Sequence, residues 1–179
     1  EIINFDNCII ATGSRPNSLP FIEVDHQQIL DSTSVLSLND IPSSMLVIGG
    51  GYIGLEMASV YSSFGTKVDV VEFLPRLLPG ADHDLVEILK KSLDKKLNDI
   101  LLETKVVSTT IDKNSVKVTM EKNSSAITKT YNKVLVSVGR IPNTDKLMLE
   151  NAGIKTNENN FVIVDAYRRT NLHHIFAIG

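Results

Sequence analysis

The sequence predicts an α/β fold: a parallel β-sheet with helices on both faces and a small antiparallel meander inserted late in the chain. Three observations predict it. The continuous apolar run "SMLVIGG" breaks into consecutive glycines and then into a stretch of helical periodicity. A second strand–helix pair follows directly, which makes a crossover unit of parallel strands. Beyond it, alternating β-branched segments separated by short turns replace the helical pattern.

Taken in order, residues 1–13 read as an extended segment closing at Gly13. The two prolines of "SRPNSLP" then forbid regular structure. Residues 17–44 hold short turns and one weak helical stretch, "STSVLSL". The run "SMLVIGG" is that of a strand covered on both faces. From Tyr52 to Phe64, Ile53, Met57, Val60, Tyr61 and Phe64 recur at helical spacing, and Gly65 closes the helix. "KVDVVEF" is the next strand.

Residues 82–97 form a second helix with Leu85, Leu89, Leu93 and Leu97 along one stripe. Asp82, Asp84 and Glu87 crowd its start and lysines its end, which matches the helix dipole and marks the lysines as a solvated face. "DILLETKVV" supplies the next strand or two. "VVSTTID", "SVKVTME" and "ITKTYNK" read as a meander over about 105–131, before the core strand "KVLVSVG" and the extended segments "FVIVD" and "HIFAIG". There is also an internal echo: "CIIATGSRPN" and "VLVSVGRIPN" both run from apolar residues into a glycine and on to Pro-Asn.

Composition narrows the function classes. At 179 residues with 42% hydrophobic and 22% charged residues, the chain has the make-up of an ordinary globular domain. A net charge of −3 argues against general nucleic-acid binding, which favours a basic face. No apolar stretch approaches the roughly 20 residues that cross a bilayer, so no membrane partner is expected. Cys8 is the single cysteine, which excludes an internal disulfide and a cysteine metal cluster; its place in "CII" reads as structural. Adjacent His173 and His174 have no acid or thiol cluster beside them and read as loop residues rather than metal ligands.

The motif that carries chemistry is the glycine loop. Gly49, Gly51 and Gly54 follow a buried strand and open an amphipathic helix, in the order G-x-G-x-x-G. Gly49 permits a tight turn, Gly51 lets the backbone approach a pyrophosphate, and Gly54 lets helix and strand pack closely. The helix N-terminus offers unpaired N–H groups and a partial positive charge to that phosphate. Glu72 ends the following strand 23 residues after Gly49, near the offset at which a dinucleotide-binding unit places the acid that reads the adenosine ribose. A carboxylate there repels a 2′-phosphate and favours NAD over NADP; nearby Arg76 is the residue type that an NADP site uses.

With these residues in place, "VIGGGYIGLEMASVYSSFGTKVDVVEFLPRLLPGAD" resembles the NAD-binding domain of the dihydrolipoamide dehydrogenases, within the flavoprotein disulfide reductase family. "ATGSRPN", "VLVSVGRIPNT" and "IFAIG" resemble that family's segments joining this domain to the FAD-binding domain. The resemblance implies an organisation of 1–16 as a seam segment, 17–164 as the NAD-binding domain and 165–179 as a returning segment. It implies that Gly49, Gly50, Gly51, Tyr52, Ile53, Gly54 and Glu56 hold the pyrophosphate and the nicotinamide side. Glu72 then meets the adenosine ribose, Val106 packs near the adenine, and Gly139 approaches the dinucleotide with its backbone.

For the parent, the resemblance implies a homodimeric oxidoreductase with NAD and FAD as cofactors and lipoyl-bearing proteins of 2-oxo acid dehydrogenase complexes as partners. It implies a bacterial cytoplasmic setting, or the mitochondrial matrix. The family's FAD glycine motif, redox cysteine pair and His-Glu pair do not occur in this sequence. The chain therefore reads as an excised central domain, expected to be monomeric and inactive by itself in dihydrolipoamide oxidation. Two alternatives stand beside this reading: the same domain of another NAD-linked disulfide reductase, and a folded fragment with no competent nucleotide site.

Overall fold

The computed structural model describes residues 2–179. Its strands are β1 (Cys8–Ile10), β2 (Ser14–Pro16), β3 (Ile29–Asp31), β4 (Ser44–Ile48), β5 (Lys67–Val71), β6 (Asp99–Leu101), β7 (Lys105–Asp112), β8 (Ser115–Lys122), β9 (Ser125–Tyr131), β10 (Lys133–Val136), β11 (Arg140–Pro142) and β12 (Ile175–Ala177). The α-helices are α1 (Tyr52–Ser63) and α2 (His83–Leu93). The chain divides into two compact units, residues 16–139 and residues 1–15 with 140–179.

The first unit is built on a parallel sheet of order β3-β10-β4-β5-β6. The chain leaves β4 through α1 to β5 and through α2 to β6, then returns on the other side of β4 as β10. The strand order thus reverses between β4 and β10, and ligands of open α/β sheets bind outside the carboxyl ends at such a point. Val136 stands opposite Ile48, and Ile48 opposite Val71, so three strands end level there.

Alternation along the strands gives the sheet two apolar faces. Met45, Val47, Val68, Val70 and Leu135 point to the face that carries Leu55, Ala58 and Tyr61 of α1 and Val86 and Leu93 of α2. Leu46, Ile48, Val71, Val134 and Val136 point to the other, where Val116, Val118 and Met120 of β8 cover them. The α/β class and the inserted meander are as the sequence predicts, but both helices share one face and the meander covers the second. The reason lies in residues 105–131, whose β-branched period-two pattern puts Val116, Val118 and Met120 on one side of a strand, where a helix would scatter them.

Two helix readings need correction as well. In α1 the buried residues are Gly54, Leu55, Ala58 and Tyr61; of the residues whose spacing marks the helix, Tyr61 is thus buried, whereas Val60 and the capping Phe64 are exposed. Small residues face the sheet because the helix lies close to it. Of the leucine stripe read for the second helix, Leu93 and Leu97 are buried, whereas Leu85 is exposed and Leu89 only partly covered; Val86 is buried in their place. α2 also stops at Leu93, with turns continuing to Leu97. Gly65 ends α1 as expected, at φ +93°. "STSVLSL" contributes a 3₁₀ turn at Ser34–Ser37, and the sheet-edge strand β3 was not anticipated.

In the second unit, β1 pairs in parallel with β12, Cys8 opposite Ile175, so the two terminal segments do join each other. Leu149, Ile154 and Ile175 form its small core, with Cys8, Ile10, Leu147, Val162 and Leu172 packed against it. Residues 140–164 therefore group with the termini, whereas the sequence reading placed them with the nucleotide domain. "FVIVD" makes one isolated bridge, Val162 to Thr156.

Candidate functional site

The glycine loop sits at the strand-order reversal, and Gly49, Gly54 and Gly51 meet different surroundings there. Gly49 has φ +111°, and a Cβ there would stand 2.5 Å from the Ser137 carbonyl oxygen. A Cβ on Gly54 would fall 2.2 Å from the Gly49 carbonyl oxygen and 3.2 Å from Val47 Cγ1, so glycine is needed for α1 to approach the sheet. Gly51 is unlike both. It has an ordinary extended backbone (φ −78°, ψ 175°), and a Cβ there would meet nothing within 4 Å. The protein itself gives no reason for glycine at 51; the backbone faces open space.

That space leads into a cavity of about 530 Å³, within the range of cofactor pockets. Of the residues singled out in the sequence, Gly49, Gly51, Glu72, Val106 and Gly139 line it. The first bond of α1 runs from the Leu55 N–H to the Gly51 carbonyl, so the N–H groups of residues 52–54 precede the helical ladder. Tyr52 and Glu56 line a different, apolar groove between α1 and α2, with Leu55, Val60 and Leu89. Gly50, Ile53 and Gly54 line neither. Phe73, Ser137 and Leu19 are cavity residues that sequence reasoning missed. Phe73 and Ser137 each directly follow a feature it did find, the acid Glu72 and the strand "KVLV", and that adjacency was the available signal.

Glu72 is held from several sides. Its Oε2 accepts the Gly50 N–H at 2.6 Å and its Oε1 the Leu74 N–H at 2.8 Å. Its own backbone bridges Leu101 and Thr104. The Arg76 guanidinium donates to the Pro79 carbonyl within its own loop. Val106 is buried where β7 begins, and Gly139, at φ +107°, accepts the Asn17 N–H through its carbonyl.

Below the cavity a polar cluster pins the meander to the sheet. Asp69 of β5, almost fully buried, accepts from Tyr131 Oη at 2.7 Å, Lys129 Nζ at 2.9 Å and Asn98 Nδ2 at 2.6 Å. Burial alone would raise its pKa, but these three donors overcome it and hold the carboxyl below the usual value. Burial and the bond to Asp69 push the Tyr131 phenol up. Burial opposes the Lys129 charge, yet Asp69 and Asp99 together raise its pKa. Among the described residues no group of three His, Cys, Asp or Glu side chains could hold a metal ion, and no helix is long and apolar enough to cross a membrane.

All of residues 1–179 match the family described as pyridine nucleotide-disulphide oxidoreductase. This chain belongs to that family. Among curated members, it is 46% identical over 179 residues to the dihydrolipoyl dehydrogenase of Vibrio cholerae, covering 99% of this chain and 38% of that protein. It is 43% identical over 181 residues to the dihydrolipoyl dehydrogenase of Geobacillus stearothermophilus, covering 100% and 38%. The chain thus spans about 38% of the length of the curated relatives it matches. Among solved structures, a Cu(II) complex of the HOCl-induced flavoprotein disulfide reductase RclA from Escherichia coli superposes with a TM-score of 0.86 at 31% identity, covering 99% of this chain and 40% of that one. LpdA from Mycobacterium tuberculosis superposes with a TM-score of 0.85 at 30% identity, covering 96% and 37%.

Proposed function

We propose that residues 16–139 bind NAD(H), and that the chain is the nucleotide-binding part of a dihydrolipoamide dehydrogenase. The observation that carries this reading is Gly51: an unhindered glycine at the N-terminus of α1, opening on a cavity that Glu72 walls at one side. The cavity fits a dinucleotide in its chemistry. Ile48, Val71 and Val106 give apolar surface for an adenine, and Glu72 gives a carboxylate for ribose hydroxyls. The first N–H groups of α1 take the pyrophosphate, whose approach needs position 51 bare. Gly139 brings the backbone beyond β10 against the other wall.

Glu72 disfavours a 2′-phosphate by charge, and Arg76 is turned onto its own loop, so NAD is the form selected. Tyr52, Ile53 and Glu56 stand at the start of α1 but outside this cavity, so the cavity lining gives them no part in the proposed nicotinamide side. When bound, the nicotinamide supplies the hydride-accepting chemistry; the chain's residues bind and orient it. In the parent, FAD and a redox disulfide pass electrons from dihydrolipoamide, on lipoyl-bearing proteins, to this nucleotide within a homodimer. The second unit serves as the seam toward the flavin domain, and the chain alone is inactive in the overall reaction.

A calorimetric titration with NADH tests the reading. Wild type should bind, and Gly51→Val should not, because its side chain would occupy the space left for the pyrophosphate. NADH binding that is unchanged in the variant would remove the assignment. Another NAD-linked disulfide reductase is the second reading, and the superposition on the flavoprotein disulfide reductase RclA is in line with the disulfide-reductase part of it; turnover of dihydrolipoamide by the full-length protein separates the two.

A further inference from the structure

The G-x-G-x-x-G pattern gives work to Gly49, Gly51 and Gly54 and leaves Gly50 unexplained. A Cβ on Gly50 would stand 2.6 Å from Leu77 Cδ2, 3.1 Å from Glu72 Oε2 and 3.2 Å from Glu72 Cβ. Leu77 is buried in the core, so a Cβ at position 50 would have to displace its packed side chain. Position 50 is therefore bare for the segment that follows β5, not for a ligand. Both backbone polar groups of Gly50 are spent on that segment as well. Its N–H donates to the Glu72 carboxylate at 2.6 Å, and its carbonyl accepts the Leu78 N–H at 3.0 Å.

The segment is shaped for this contact. Leu78 has φ +46°, a conformation uncommon for a residue with a side chain, and it turns Leu77 inward while presenting its own N–H to Gly50. The Ala81 N–H closes on the Leu78 carbonyl, and Arg76 closes on Pro79. Residues 72–81 thus form a strap across the middle of the glycine loop, anchored at one end by Glu72.

We propose that Glu72 is a positioning residue for the glycine loop as well as the reader of the ribose, so that one carboxylate, acting through Gly50, sets both the pyrophosphate and the adenosine subsites. This rests on the NAD reading above and deepens it. Each carboxylate oxygen accepts one backbone N–H and keeps a lone pair free, so a ribose can be added without releasing Gly50. The negative charge beside the N-terminus of α1 also stabilises the loop before any ligand arrives. A consequence is that cofactor preference cannot be changed at position 72 without loosening the phosphate loop.

The test compares wild type with Glu72→Gln, using amide hydrogen exchange at Gly50 without ligand and binding of reduced nicotinamide mononucleotide, which has a phosphate but no adenosine. A glutamine keeps one acceptor and sets an NH₂ against the other backbone N–H. Gly50 exchange should accelerate roughly 10-fold or more, as for loss of a bond to a charged acceptor, and mononucleotide affinity should fall by a similar factor. If Gly50 exchange stays within about twofold while NADH affinity alone falls, Glu72 reads the ribose only and the proposal is overturned. If the Gln variant does not fold, Glu72→Asp is read in the same way: it keeps the charge but draws the carboxylate back from Gly50. Wild type that binds no NADH would remove the NAD reading, whereas the exchange result would still decide the strap.

Discussion

The two units of the chain differ most in what they bury. Residues 16–139 close an apolar layer on each face of a five-stranded sheet, with Leu30, Met45, Leu46, Val47, Val70 and Leu135 shut off from water. The other unit buries Leu149, Ile154 and Ile175 and leaves Ile2, Ile3, Ile9, Tyr167 and Ile178 exposed. A segment with few buried apolar contacts opens at low cost, whereas a closed core holds its loops in place. The lesson is about placement. The glycine loop, Glu72 and Val106 all stand on the unit with the closed core of its own.

The sharpest way to break this comparison is to cut one side chain from each core. Leu135→Ala should cost about 2–5 kcal/mol of stability in the unit of residues 16–139. Ile154→Ala should leave that unit's denaturant transition where it was, while amides of β1 and β12 exchange faster. Equal shifts of one common transition would show a single cooperative unit.

A smaller effect is expected at the cluster that ties the meander to the sheet. Asp69→Asn should lower stability at neutral pH by about 1–3 kcal/mol, since Tyr131, Lys129 and Asn98 lose a shared charged acceptor. Its pH signature has a definite sign. The folded Asp69 carboxyl lies below its ordinary value, so its contribution is full above the unfolded carboxylate range near ~3.9 and is lost as pH falls through the folded value. Lys129 and Tyr131 are raised, so theirs are full below about 10 and are lost as pH rises through the raised values. The variant should flatten the acid limb of the stability curve, which chemical denaturation between pH 2 and pH 7 would read.

The glycines give the finest contrast. Gly54→Ala should destabilise by about 1–3 kcal/mol because its Cβ meets backbone, a neighbour that cannot step aside. Gly51→Ala should change stability by no more than about 0.5 kcal/mol. Thermal melts of the ligand-free variants check both. A large loss at Gly51 would mean that glycine serves the fold there, not an open phosphate site.

These cases also show what was legible in the sequence. "SMLVIGG", "KVDVVEF" and the meander segments follow from patterns local to each strand, and the structure places them as read. The buried face of α1 was legible only in part: Gly54 and Tyr61 were read, but Ala58 was not, because it is chosen for closeness to the sheet rather than for hydrophobic size. β3 escaped because three residues carry no period, and its pairing with β10 is a long-range matter. Gly49, Gly51, Glu72, Val106 and Gly139 converge on one cavity, yet nothing near "GGG" in sequence tells that Gly50 answers to Leu77. That contact exists only once the strap has folded back.

The measurement that tests the account most directly is a thermal-shift titration of wild type with NADH and NADPH side by side. The account predicts that NADH raises the melting temperature, increasingly with the logarithm of its concentration above Kd, and that NADPH, met by the Glu72 carboxylate, does not. Equal stabilisation by both, or by neither, would contradict it.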